Sequence, residues 1–130
     1  MKFFYLDAGI ASVSDLTVVA LLFILGVSLV EWIVMLLFKF NDPGKSLFHS
    51  FIVNLVSAVL GFLLADTISS VTHSAGDILQ WIIYFGLTVV VEAILLQLLN
   101  RHKTLSKIWT VAFIMNLVSY LILFLWVRKS

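Results

Sequence analysis

The sequence predicts an all-α integral membrane protein, a four-transmembrane-helix bundle made of two tandem parallel two-helix repeats. Three observations predict it. Of the 130 residues, 62% are hydrophobic and 12% charged, with a mean hydropathy of +1.16. A soluble domain runs at roughly 45–50% apolar and about 25% charged. The apolar residues gather into four windows, each close to the ~20 residues that a helix needs to cross a bilayer. The second pair of windows also repeats the polar punctuation of the first.

The elements follow in chain order. Residues 1–15 read as a short interfacial segment with Phe3, Phe4 and Tyr5 at headgroup level; Asp7 interrupts this stretch, so it does not read as a cleavable leader. The first repeat covers residues 16–66, with spans at about 16–38 and 47–65. Glu31 is the only charge in the first span, and Ser14-Asp15 stands where a helix cap belongs. Asn41-Asp42-Pro43-Gly44 has the composition of a turn. The second repeat covers residues 77–127, with spans at about 78–99 and 108–127, Asp77 as a cap and Glu92 as the only charge within a span. The windows are too long for the ~10-residue strands of a transmembrane barrel. None contains the chain's single proline, which argues against the broken helices of many transporters.

An even number of spans puts both termini on one side. Lys39, Lys45, Arg101, Lys103 and Lys107 then share one face, against Lys2, Arg128 and Lys129 on the other. The positive-inside rule counts these cations alone. It makes the 39–46 and 100–107 loops cytoplasmic and both termini external, in a plasma membrane or bacterial inner membrane. Trp109 at one face and Trp81 and Trp126 at the other suit an aromatic belt, whereas Trp32 is expected well inside the bilayer.

The repeat rests on polar identities. A shift of about sixty residues lays Val30-Glu31-x-Ile33 on Val91-Glu92-x-Ile94. It also lays Phe51-Ile52-x-Asn54-Leu55-Val56-Ser57 on Phe113-Ile114-x-Asn116-Leu117-Val118-Ser119. Apolar padding matches itself easily; Glu, Asn and Ser do not. Both halves have the same orientation, so the implied symmetry is a pseudo-two-fold along the membrane normal. With ~1.5 Å of rise per residue, Glu31, Asn54, Glu92 and Asn116 all lie roughly 12–14 Å from the basic face. Ser28 and Thr88 extend the faces of the acids with hydroxyls. Ser57 and Ser119 extend those of the asparagines, and Ser50, Asn54, Ser57, Gly61 and Ala65 give span two a small, polar stripe.

A charge at the centre of a span costs roughly 2.5–3.5 kcal/mol on insertion scales, so both acids are expected to face the bundle interior. A protonated Glu can donate to an Asn carbonyl while accepting from its amide, which makes a two-way clamp between antiparallel neighbours. The preferred expectation is a non-catalytic subunit or scaffold that packs with membrane partners or its own copies, the Glu/Asn pairs fixing helix register. The alternative is a proton- or cation-conducting channel or coupled carrier with Glu31 and Glu92 as titrating ligands.

Other chemistries find little footing. With no cysteine there is no thiolate site or disulfide. No Lys/Arg run suits nucleic acid. His49, His73 and His102 are not spaced to hold a haem between spans, so no cofactor and no metal are expected, and His49 reads as a solvated interfacial side chain. His73, Ser74 and Asp77 sit in a loop rather than a nucleophile elbow, and no lid or soluble portion supplies a substrate pocket. An enzyme is not expected.

Overall fold

A computed structural model describes residues 13–129; the interfacial segment expected at the N-terminus lies largely outside the described residues. The chain forms four helices, α1 (Val13–Leu37), α2 (Pro43–Thr72), α3 (Asp77–Leu99) and α4 (Leu105–Lys129). All four are long and apolar enough to cross a membrane. Each packs on its chain neighbours, and α4 closes onto α1 while the diagonal pairs stay apart. The result is a square, up-down-up-down bundle.

The helix ends correct several sequence expectations. Pro43 and Gly44 do not form the turn; they open α2. Asp42 is its N-cap, with Oδ1 accepting from the Lys45 amide at 3.0 Å. Proline tolerates this first position because the N–H it lacks would have no intrahelical partner there. The reversal itself falls at Phe38–Asn41. Phe40 N–H donates to Met35 O at 2.9 Å and Lys39 N–H to Leu36 O at 3.0 Å, while Lys39 takes φ 49°. This is a Schellman ending with lysine where glycine is usual, and Phe40 buries its ring beneath it.

α2 runs well past the expected end at residue 65. Asp66 ends the apolar window, but a charge limits membrane depth and leaves the backbone ladder intact. Ile68 and Thr72, one turn apart, are buried, and the Thr72 hydroxyl donates to Ile68 O at 2.7 Å. Thirty residues span about 45 Å, enough for the hydrocarbon core and a headgroup layer. The expected 66–77 connection shrinks accordingly to residues 73–76. Asp77 is the first residue of α3 and not its cap, a place taken by Gly76 at φ 86°. Ser14 and Asp15 likewise lie within the first turn of α1.

The packed core is not central. Val34, Met35, Phe40, Val53, Ala93, Leu96, Ile108, Val111, Ala112 and Met115 form one buried cluster. It fills the half of the bundle nearest the 38–42 and 100–104 loops. Towards the opposite end the helices are looser. A groove of about 270 Å³ opens there between α1 and α4, and a cavity of about 170 Å³ between α2 and α3.

Candidate functional site

At the boundary between the tight and the loose halves sits a layer of buried polar groups. Glu31, Glu92, Asn54, Asn116, Ser28, Ser50, Ser57 and Ser119 are all buried. Asn54 Nδ2 donates to Glu31 Oε2 at 2.5 Å and to the Ser50 carbonyl of its own helix at 2.9 Å. Asn116 Nδ2 repeats this with Glu92 Oε2 at 2.6 Å and Ala112 O at 2.9 Å. The amide is thus held from both sides. One proton crosses to the acid and the other turns back to the i−4 carbonyl, which fixes the oxygen and nitrogen assignment of each carboxamide.

The two-way clamp expected between Glu and Asn is not what forms. The contact runs one way, amide to carboxyl. The other oxygen of Glu31 faces the opposite hairpin. Ser119 on α4 donates to Glu31 Oε1 at 3.2 Å, joining α4 to α1. Ser57 on α2 stands in the corresponding place beside Glu92 on α3, yet its buried hydroxyl finds no hydrogen-bond partner. The acids lie on diagonal helices, and each asparagine helix reaches both of them, through Asn on one side and Ser on the other.

The two supporting hydroxyls upstream of the acids behave differently. Ser28 donates to its own Ile24 carbonyl at 2.7 Å. Its backbone carbonyl accepts from Ser50 Oγ at 2.7 Å, a further α1–α2 tie. Thr88 bonds the carbonyls of Tyr84 and Phe85 and meets the Tyr120 hydroxyl at 3.4 Å. Neither hydroxyl touches an acid. Ser and Thr inside a helix readily satisfy themselves on the preceding turn.

A second polar cluster, not expected from the sequence, lies where the two basic loops meet. Asn41 Nδ2 donates to Asn100 Oδ1 at 2.8 Å, and Asn100 Nδ2 donates to Leu96 O at 2.9 Å. Both amide nitrogens also face His49 Nδ1, at 3.4 and 3.2 Å. With the Asn100 amide fixed by Leu96 O, Nδ1 must accept, which places the imidazole proton on Nε2. His49 is therefore a buried connector and not the solvated side chain expected. Trp32 also departs from its expected depth. Its indole N–H reaches the Pro43 carbonyl at 2.8 Å, bringing the polar edge to the loop end. Asn41 and Asn100 carry no repeat signature, and polar residues at span ends read as solvated, so this cluster left no mark in the sequence. Ser50 did, as a member of the span-two stripe.

Four apolar helices around a buried polar layer indicate an integral membrane protein of the helical, multi-pass class. No protein-family model matches the chain, and no curated protein or solved structure matches it.

Proposed function

We propose that the chain is a non-catalytic membrane subunit or scaffold, a duplicated helical hairpin whose polar layer locks four helices in register. The observation that carries this is the placement of the hydrogen bonds. Asn54–Glu31 joins α1 to α2, Asn116–Glu92 joins α3 to α4, and Ser119–Glu31 closes α4 on α1. A single hydrogen bond of this kind averages only about 0.6 kcal/mol in a membrane. Three of them at one level nonetheless penalise sliding along three sides of the square, since each slip strands a buried acceptor. The pseudo-two-fold along the membrane normal follows from the same reading. The Glu-Asn-Ser set in each half is one hairpin copied, with the second copy's Ser119 bonding the first copy's Glu31 and Ser57 standing beside Glu92.

The outer surface of the bundle supports a partner. Leu22, Phe62, Leu63, Val71, Ile78 and Trp126 are each more than 60% exposed, and only lipid, another membrane protein or a second copy can cover them.

A second reading has its own support. Both open spaces lie between the hairpins on the loose side of the polar layer. The α1–α4 groove is lined by Phe23, Gly26, Val27, Val30, Ser119, Ile122, Leu123 and Trp126, so its inner end meets the serine that holds Glu31. A proton or cation route would use that approach and the two acids.

Purified protein in liposomes separates the readings. The scaffold reading expects no proton or cation flux from the wild type, intact folding of the Glu31→Gln/Glu92→Gln pair, and a partner retained in mild detergent. Flux in the wild type that disappears in the folded double variant would replace it with conduction.

A further inference from the structure

His49 joins the two basic loops through a single nitrogen, and that nitrogen has no place for a proton. Asn41 Nδ2 and Asn100 Nδ2 both face Nδ1, at 3.4 and 3.2 Å. Asn41 Nδ2 also donates to Asn100 Oδ1 at 2.8 Å, and Asn100 Nδ2 to Leu96 O at 2.9 Å. His49 and Asn100 are buried, and so is the ring of Phe40, next to Asn41 in the first loop. The Lys103 ammonium of the second loop lies 5.0 Å from the centre of that ring, across the same junction.

A proton on Nδ1 would turn the shared acceptor into a donor that faces two donors. No rearrangement of the side chains accommodates it. Turning the Asn41 carboxamide alone sets its oxygen against Asn100 Oδ1, across a contact of 2.8 Å. Turning that of Asn100, with or without Asn41, sets its oxygen against the Leu96 carbonyl, across a contact of 2.9 Å. Rotating the imidazole brings a carbon to the place of Nδ1, and both amides lose their acceptor. Each arrangement of the protonated ring breaks a buried link, and a partly satisfied buried network is costly.

The surrounding charges do not compensate. Lys45 stands one turn before His49 on α2, Lys39 is in the first loop, Arg101, His102 and Lys103 are in the second, and Lys107 is in the first turn of α4. Among the described residues Asp42 is the one acid at this end, and its Oδ1 is engaged as the α2 cap.

We propose that the Asn41–His49–Asn100 junction is an acid-sensitive latch: a proton taken up by His49 parts the 38–42 loop from the 100–104 loop, while the polar layer holds the bundle together. The closed junction accepts only the neutral ring, and the open one accepts either form, so falling pH favours opening. Histidine takes up its proton between about pH 8 and 5, so the latch is closed in neutral solution.

The test is hydrogen–deuterium exchange of the whole protein in mild detergent at about pH 7.5 and about pH 5, each rate divided by the intrinsic rate of an unstructured chain at that pH. The amides of Phe38, Lys39, Phe40, Asn100 and Lys103 are hydrogen-bonded in the closed form and report on it. Their protection in the wild type is expected to fall by up to about tenfold per pH unit, the limit for one proton, while amides around Glu31 keep theirs. His49→Asn sets a neutral acceptor close to the place of Nδ1 and should stay protected at both pH values. His102→Asn, in the second loop, should lose protection as the wild type does. Nitrogen-15 spectra of the wild-type imidazoles need no folded variant at position 49: Nδ1 of His49 should gain its proton over the same pH range in which the loops lose protection. Undiminished loop protection of the wild type in acid, an equal loss in His49→Asn, a loss abolished by His102→Asn, or simultaneous loss around Glu31 would overturn the proposal. So would an Nδ1 that stays unprotonated while the loops open.

Discussion

Replacing Asn116 by leucine should cost more than replacing Asn54 by leucine, although the two asparagines make the same bonds. The same substitution is made at both sites, and leucine keeps asparagine's branching, so packing effects largely cancel in the comparison and the difference falls on hydrogen bonding. Each removes an amide that donates to a buried carboxyl and to an i−4 carbonyl. The i−4 carbonyl keeps its helical partner and contributes little to the loss. The carboxyls differ. Glu31 retains the Ser119 hydroxyl on Oε1 at 3.2 Å, whereas the Ser57 hydroxyl beside Glu92 is unbonded. Losing one interhelical bond in a membrane protein costs about 0.6 kcal/mol on average and up to about 1.7. Stranding a buried acceptor raises the cost to about 1–3 kcal/mol. Asn54→Leu is therefore expected near 1 kcal/mol and Asn116→Leu near 2 kcal/mol, in the order set by those two ranges. Reversible unfolding in mixed micelles, titrated with denaturing detergent and followed by circular dichroism, measures both. A larger cost for Asn54→Leu, or equal costs within about 0.3 kcal/mol, would refute the reasoning that Ser119 bonds its acid directly while Ser57 stands farther from the other.

The same asymmetry predicts that Ser57→Ala does not lower unfolding stability, since it removes a buried hydroxyl that makes no direct hydrogen bond, while Ser119→Ala costs about 0.6 kcal/mol; one titration compares them. Lys39→Gly should stabilise by about 1 kcal/mol, because a glycine adopts the left-handed ending of α1 without the steric cost borne by lysine. Thermal unfolding in detergent reads the gain. Gly26 borders the α1–α4 groove, and a methyl there meets nothing within 4 Å. Gly26→Ala should therefore add roughly 0.5–1 kcal/mol through helix propensity alone, measured in the same scan. Asn100→Ala should loosen the loop junction, visible as faster amide exchange over residues 38–42, because Asn41 and His49 both lose a partner.

Much of the bundle is readable from the chain because lipid imposes a simple rule. Backbone groups must be satisfied within each span, so long apolar windows without proline become helices. Glu31 and Glu92 were equally legible, since a lone acid in such a window has to face inward. The helix ends were less so. Hydropathy reports where water begins, while a helix stops where its backbone bonds stop, and α2 continues through Asp66 to Thr72 on bonds that hydropathy does not see. Pro43 and Gly44 misled for a related reason: a turn-forming composition is also what opens a helix once Asp42 caps it. The Asn41–His49–Asn100 junction was invisible because its members are far apart in sequence and meet only after the two hairpins have packed.

The polar layer shows why neighbouring hairpins are needed as well as the pairs within them. Asn54 and Ser57, like Asn116 and Ser119, are three residues apart on their helices, so their side chains diverge by about 60° on a 3.6-residue turn. One of them faces the helix before it in the chain, and the other faces a helix of the opposite hairpin. With the acids on α1 and α3, that divergence selects a square in which every asparagine helix lies between two acids. A bundle with α1 beside α3 would leave Ser119 remote from Glu31, so the 3.2 Å contact between them distinguishes the observed order. A single hairpin can satisfy its Glu–Asn pair alone; it cannot supply the second oxygen of its acid. The Glu, Asn and Ser residues of the two hairpins therefore specify how the halves pack together, Ser119 bonding the acid of the first hairpin and Ser57 facing that of the second.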